Sequence, residues 1–213
     1  MVGKSPDARF APIVSDSVFT TSTLFVRSVN AGVITLQVTT MVKREYQYVG
    51  PQDIREIAMT QPSGVAIESS ADISAWLETD PTERLADGAW IATFTIGTNE
   101  VLSIAPRRSE HVACAGGGPV ISAGEITIDA DGNVTEISNQ STGFCPEPES
   151  WDSVKLVLDR LDLNHPGEFT TVVIFRLCTK CNERNVVKDS WFQCQLCDAR
   201  LPEDWNFPTA KNA

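Results

Sequence analysis

Basic residues are scarce in this chain of 213 residues: 17 Lys and Arg stand against 28 Asp and Glu, for a formal net charge of −11. Nucleic-acid binding is driven largely by a basic face that neutralises phosphates. No such face is legible, so nucleic acid is disfavoured as a partner, and the acidic excess suits a basic protein instead. That excess lies in residues 1–177, because from Cys178 onward five basic residues balance five acidic ones. Long apolar runs are also missing. No stretch approaches the ~18 apolar residues of a membrane span, so no membrane association is expected. The opening MVGKSPDARFAPIVSD has no apolar core of an export signal, and the expected compartment is the cytoplasm.

Several reaction signatures are absent too. AGGGPV (115–120) has neither the GK[ST] ending of a P-loop nor the GxGxxG spacing of a dinucleotide fold. No HExxH or GxSxG occurs, and His111 is not part of an HxE…PCxxC deaminase pattern.

What is present is ordinary globular material. Hydrophobic residues make up 42% and charged residues 21%, which predicts a packed core. Residues 1–17 hold two prolines and little periodicity and read as a loose N-terminal arm. SVFTTSTLFVRSV and GVITLQVTTMV predict a strand–turn–strand, with REYQYV continuing the second strand. A short helix is expected from Pro51, and another in SADISAWLETD, capped by Ser70 or Asp72. GAWIATFTIG and EVLSIAP read as strands, and PVISAGEITIDADGNVTEIS as a hairpin turning at Asp131 and Gly132. Trp151, Val154, Leu158 and Leu161 recur at helical spacing in PEPESWDSVKLVLDRLDL. EFTTVVIFRL is a strongly apolar strand leading into a cysteine cluster. The order of elements predicts an α+β fold, a mostly antiparallel sheet with few helices. The main domain is expected over 18–177, with a possible sub-boundary near 82–88, a C-terminal zinc ribbon over 178–207 and a tail over 208–213.

The cluster reads CTKCNERNVVKDSWFQCQLC. Cys178 and Cys181 form one CxxC, and Cys194 and Cys197 the other, with twelve residues between them. Two such pairs can set four thiolates tetrahedrally around Zn²⁺. In each knuckle, backbone N–H groups point at the sulfurs. The residue after the second cysteine often needs a left-handed backbone, and Asn182 and Asp198 are types that tolerate it. Over about residues 176–206 the chain resembles the zinc-ribbon family. The expected cofactor is one structural Zn²⁺ per chain, with no open coordination position and hence no catalytic role. Trp191, Phe192, Leu201 and Trp205 are expected to pack this module onto the main body.

The middle segment concentrates residues that serve chemistry. His111, read as lying on a strand, is a candidate general acid or base, or a hydrogen-bonded structural histidine. Cys145, or Cys114, is a candidate nucleophile. Glu125 sits inside an apolar strand, where a carboxylate either works in a reaction or pairs with an arginine such as Arg107 or Arg108. NQSTG (139–143) precedes a helix and could cradle an anion, with Ser141 in a catalytic set and Asn139 and Thr142 in a binding set. Gly116, Gly117 and Gly118 join that binding set, or simply make a turn. His111, Cys114, Cys145 and His165 form an irregularly spaced alternative metal set.

Residues 110–150 are similar to a segment shared by plant IQ-motif calmodulin-binding proteins and bacterial toxin-like proteins. His111, the three glycines, Ala123, Gly124, Ser141, Gly143 and Pro146 fall in corresponding places. Phe144 and Cys145 stand where that pattern has histidine and tyrosine, and no IQ motif is present, so calmodulin binding is not carried over. The resemblance implies a pocket and names no reaction. Three readings follow for what is expected to be a cytoplasmic bacterial protein. The first is a zinc protein with a pocket for a protein or small-molecule ligand. The second is an enzyme of group transfer on a nucleotide or phosphorylated substrate, using His111, Glu125 and residues 139–143. The third is a purely structural interaction module.

Overall fold

In this computed structural model the described residues are 43–79 and 84–209, together with the backbone of 20–25 and 35–40. The expected arm over 1–17 and the end of the tail, 210–213, lie outside them, as do 82 and 83 of the expected sub-boundary. The chain divides into two compact units, Met1–Val42 and Lys43–Ala213. In the first, β1 (Thr20–Phe25) pairs antiparallel with β2 (Thr35–Thr40), Thr20 opposite Thr40 and Phe25 opposite Thr35.

The second unit is α+β. Its elements in chain order are α1 (Gln52–Ala58), β3 (Val65–Ile67), α2 (Ser70–Thr79), β4 (Trp90–Gly97), β5 (Leu102–Pro106), α3 (His111–Cys114), β6 (Val120–Ile128), β7 (Val134–Ile137), α4 (Trp151–Arg160), β8 (Ile174–Leu177) and β9 (Arg184–Val187). A five-stranded sheet runs in the order β3-β5-β4-β6-β7, with every pairing antiparallel. β8 and β9 form a separate antiparallel pair.

Period-two alternation sorts the sheet residues onto two faces. Ala92, Phe94 and Ile96 of β4 join Leu102, Ile104, Ile126 and Ile128 in one buried cluster. Helix α2 covers it with Ile73, Trp76 and Leu77, and α4 with Val154, Val157 and Leu158. The intervening residues Thr93 and Thr95 face the other way and are also buried. Thr93 Oγ1 donates to the carbonyls of Arg107 and Ser109, and Thr95 Oγ1 to the Cys114 sulfur. This second face gathers Val112, Ala113, Val120, Ala123 and Phe144, with Tyr46 and Ala58.

The structure departs from the expected elements in several places. REYQYV does not extend β2; Tyr46 instead makes a single bridge to Val120 with its ring buried. Asp72 caps α2 from inside its first turn, accepting the N–H groups of Glu68 and Ser69, a capping-box geometry that holds its carboxyl below the usual range. His111 lies on the one-turn helix α3, not on a strand. The long C-terminal strand narrows to β8, with Thr171 only bridging Ser138. The three-residue strand β3 was not expected; it is too short to show a period.

Of the described glycines, Gly124 makes the tightest approach to neighbouring backbone. A Cβ there would lie 1.9 Å from the Ser138 carbonyl oxygen. The neighbouring atoms are backbone of Ser138 and Gln140, with no flexible side chain to yield, so Gly124→Ala should cost at least the ~1–3 kcal/mol typical of overpacking. Gly167→Ala, which meets nothing within 4 Å, should stay within about 0.5 kcal/mol of the parent. Urea denaturation of the two variants checks this; equal stabilities would refute the close approach.

Candidate metal centre and the middle segment

Strand β8 delivers Cys178 into the first of two near-identical knuckles. The Asn182 N–H donates to the Cys178 carbonyl at 2.9 Å, and Cys178 N–H to Glu183 O at 2.8 Å. In the second, Asp198 N–H donates to Cys194 O at 3.0 Å, and Cys194 N–H to Ala199 O at 2.8 Å. Asn182 and Asp198 take left-handed φ values of 59° and 56°, as the motif requires. Backbone N–H groups of Cys181 and Lys180 reach the Cys178 sulfur and hold its thiol below the ordinary value. Leu196 and Cys197 aim theirs at Cys194.

The four sulfurs all lie within 4.8 Å of one another. Cys178 and Cys197 are 3.6 Å apart, as are Cys181 and Cys194. A tetrahedron with ~2.3 Å metal–sulfur bonds has edges of ~3.8 Å, so the donor set fits a metal ion in the manner of a zinc ribbon. Among the described residues this is the one convergent group of three or more His, Cys, Asp or Glu. The alternative set of His111, Cys114, Cys145 and His165 therefore does not come together.

The ribbon is welded to the sheet by polar groups that sequence reading missed. The Arg176 guanidinium is buried and donates to Glu147 Oε1 at 2.7 Å, to Phe175 O and to Glu203 O. Burial pushes the Glu147 carboxyl up, against the pull of Arg176. Glu147 N–H in turn donates to the Tyr46 hydroxyl, whose pKa burial raises to about 12. Asn206 forms a two-way amide pair with the Leu177 backbone. A lone arginine inside the apolar run VVIFRL was the available signal, since a charge there demands a buried partner. Of the residues expected to pack the ribbon onto the body, Trp205 packs against Tyr46 and Phe207, whereas Phe192 and Leu201 lie in the ribbon's own apolar cluster. Trp191 does not follow the expectation: it sits past a tight turn with Asp189 and Ser190 at positive φ and is 69% exposed.

Val112, Ala113, Val120, Ala123 and Phe144 of the middle segment share one buried cluster, and most of the segment's polar groups are engaged in hydrogen bonds or ion pairs. His111 is half-buried and its Nε2–H donates to Gly124 O at 3.1 Å. Desolvation lowers its pKa, offset in part by that bond and by the carboxylate of Glu125. Glu125 pairs with Arg107 at 3.2 Å, one of the two arginines expected. Gly116 and Gly117 have φ of 60° and 81° and form the turn that closes α3, with Arg55 donating to the Gly117 carbonyl and Gly118 next in the chain. Asn139 is fully buried; its amide donates to Pro146 O and Val173 O and accepts from Val173 N–H. That ties the end of β7 to the start of β8. Cys145 N–H donates to Ser141 O in a tight turn, and the Cys145 backbone is left-handed at φ 49°. Its thiol is buried, donates to the Thr142 carbonyl and is pushed up to about 12 by burial. The Cys114 thiol is raised to about 11 by the same cause. Thiols so raised hold little nucleophilic thiolate near neutral pH. The Ser141 hydroxyl is buried without a hydrogen-bond partner among the described residues.

The His111 shift carries a sign. Its pKa is depressed in the fold, so the unfolded chain takes up the proton first as pH falls below ~6.5. Stability from neutral His111 is therefore complete above pH ~6.5 and declines below it. His111→Gln, which keeps a donor for Gly124 O, should be less stable than the parent at pH 7.5, with the gap narrowing toward pH 5. Melts at both pH values check this; a gap that widens in acid contradicts it. Comparison with protein-family models, with curated proteins and with solved structures gives no match, so the resemblance of residues 110–150 gains no support and the four-cysteine centre stands on its own geometry.

Proposed function

We propose that this chain is a zinc-binding protein that works by binding a partner or ligand, without turnover. Cys178, Cys181, Cys194 and Cys197 hold one structural Zn²⁺ per chain. The observation that carries this reading is the convergence of their four sulfurs within 4.8 Å. Four thiolates fill the tetrahedron and leave no position for substrate or water. The ribbon buries few aliphatic side chains, chiefly Val187 and Leu201, each returning ~1.5–3 kcal/mol. A structural zinc contributes ~10–16 kcal/mol in comparable small modules. The metal's role is then to fold the ribbon.

The binding reading places the ligand at the open surface depression beside β9, bordered by Gln140, Thr142, Val172, Phe175, Arg184 and Leu196 among others. It joins the ribbon to the hydroxyl-rich segment 139–143, and Leu196 stands 68% exposed beside it. Six free cysteines suit a reducing compartment such as the cytoplasm. Among the described residues no helix is long and apolar enough to cross a membrane. The acidic excess favours a basic protein as partner.

Elemental analysis of the purified chain should give one zinc per molecule. Cys194→Ser should lose the metal and lower the melting temperature. Metal-free protein of unchanged stability would refute the zinc reading. A thermal-shift screen of metabolites, nucleotides and basic peptides tests the groove. A stabilising nucleotide or anionic metabolite should lose its effect in Arg184→Glu, a basic peptide should bind more tightly there, and a ligand unaffected by that change binds elsewhere.

A further inference from the structure

We infer that Asn185 is a positioning residue for Cys194, its side-chain amide acting as a hydrogen-bond donor to the metal-bound sulfur; this rests on the zinc reading. Asn185 lies on β9 and is 3% exposed. Its Nδ2 donates to the Glu183 carbonyl at 2.8 Å and to Cys194 Sγ at 3.6 Å. Its Oδ1 accepts the Gln195 N–H at 2.9 Å. One side chain thus joins the exit of the first knuckle, Glu183, to a ligand of the second and to the residue after that ligand.

The chemistry of the site explains why an amide stands there. Zn²⁺ with four thiolates carries a net charge of −2, within a chain already at −11. Donors aimed at the sulfurs spread that charge, and outer hydrogen bonds of this kind orient ligands and tune affinity. The position needs two donors and one acceptor on a short planar group, which asparagine supplies. Aspartate has the same shape and can still accept from Gln195, but it offers no proton to the sulfur. An aliphatic residue would take away the acceptor of the Gln195 N–H.

The full chain, reduced and stripped of metal, is titrated with Co²⁺, which gives a sulfur-to-metal charge-transfer band, and then with Zn²⁺. Asn185→Asp should bind both metals about 10–100-fold more weakly and shift the band. Val187→Ala, which loosens the same ribbon core without touching a sulfur donor, should lower the melting temperature and leave the band in place. Parent-like affinity and band in Asn185→Asp overturn the inference, as does an identical band shift in both variants. A second measurement needs no variant. In the ¹¹³Cd²⁺-loaded parent, a ¹H–¹¹³Cd correlation should connect the Asn185 side-chain amide to the metal through Cys194. Its absence, with backbone correlations from Leu196 or Cys197 present, overturns the inference alone. A parent chain that takes up no Co²⁺, Zn²⁺ or Cd²⁺ overturns the zinc reading itself.

Discussion

Four sulfur atoms within 4.8 Å of one another are the constraint on which the C-terminal part of this molecule depends. Two tight turns, each closed by the same pair of backbone hydrogen bonds and each leaving through a left-handed residue, bring them there. The apolar cluster of that segment is small, and four of its nine members are the cysteines themselves. On the proposed reading, a bound metal would convert the crowding of thiolates from a cost into the main source of order, in keeping with a closed donor set.

The ribbon is not an appendage on a flexible tether. β8 is held to the body by the fully buried amide of Asn139, and it carries Arg176 into contact with Glu147 and Glu203. A buried ion pair of this kind adds little net stability, but removing one partner leaves an uncompensated charge inside. The contacts are directional and join distant points of the chain. They set the orientation of β8, and therefore the place where the first knuckle begins. The middle segment has a similar character. His111, Asn139 and Cys145 each bond to a backbone carbonyl, so residue types that often do chemistry here hold loops in register.

The sequence was informative where a physical requirement is local. The knuckle spacing, the tolerance of Asn182 and Asp198 for positive φ and the strand-forming runs of β4 and β6 are such requirements, and they describe what the structure contains. The Arg107 partner of Glu125 was also within reach. It was much less informative where the requirement is tertiary. Tyr46 looked like a continuing strand because nothing nearby says that its ring will be buried and its hydroxyl will meet Glu147. His111 looked like a strand residue because one helical turn leaves no period to read. Trp191 was expected inside on hydrophobicity alone, but the turn before it carries it outward. Asn185 had no signal of its own, because its value comes from three atoms contributed by other parts of the ribbon.

The account turns on the identity and environment of one metal. X-ray absorption at the zinc edge of the purified, unsupplemented protein reads both at once. It should show a single shell of four sulfurs at ~2.3 Å and no nitrogen or oxygen ligand. A shell containing nitrogen or oxygen, or a chain that holds no zinc, would contradict it.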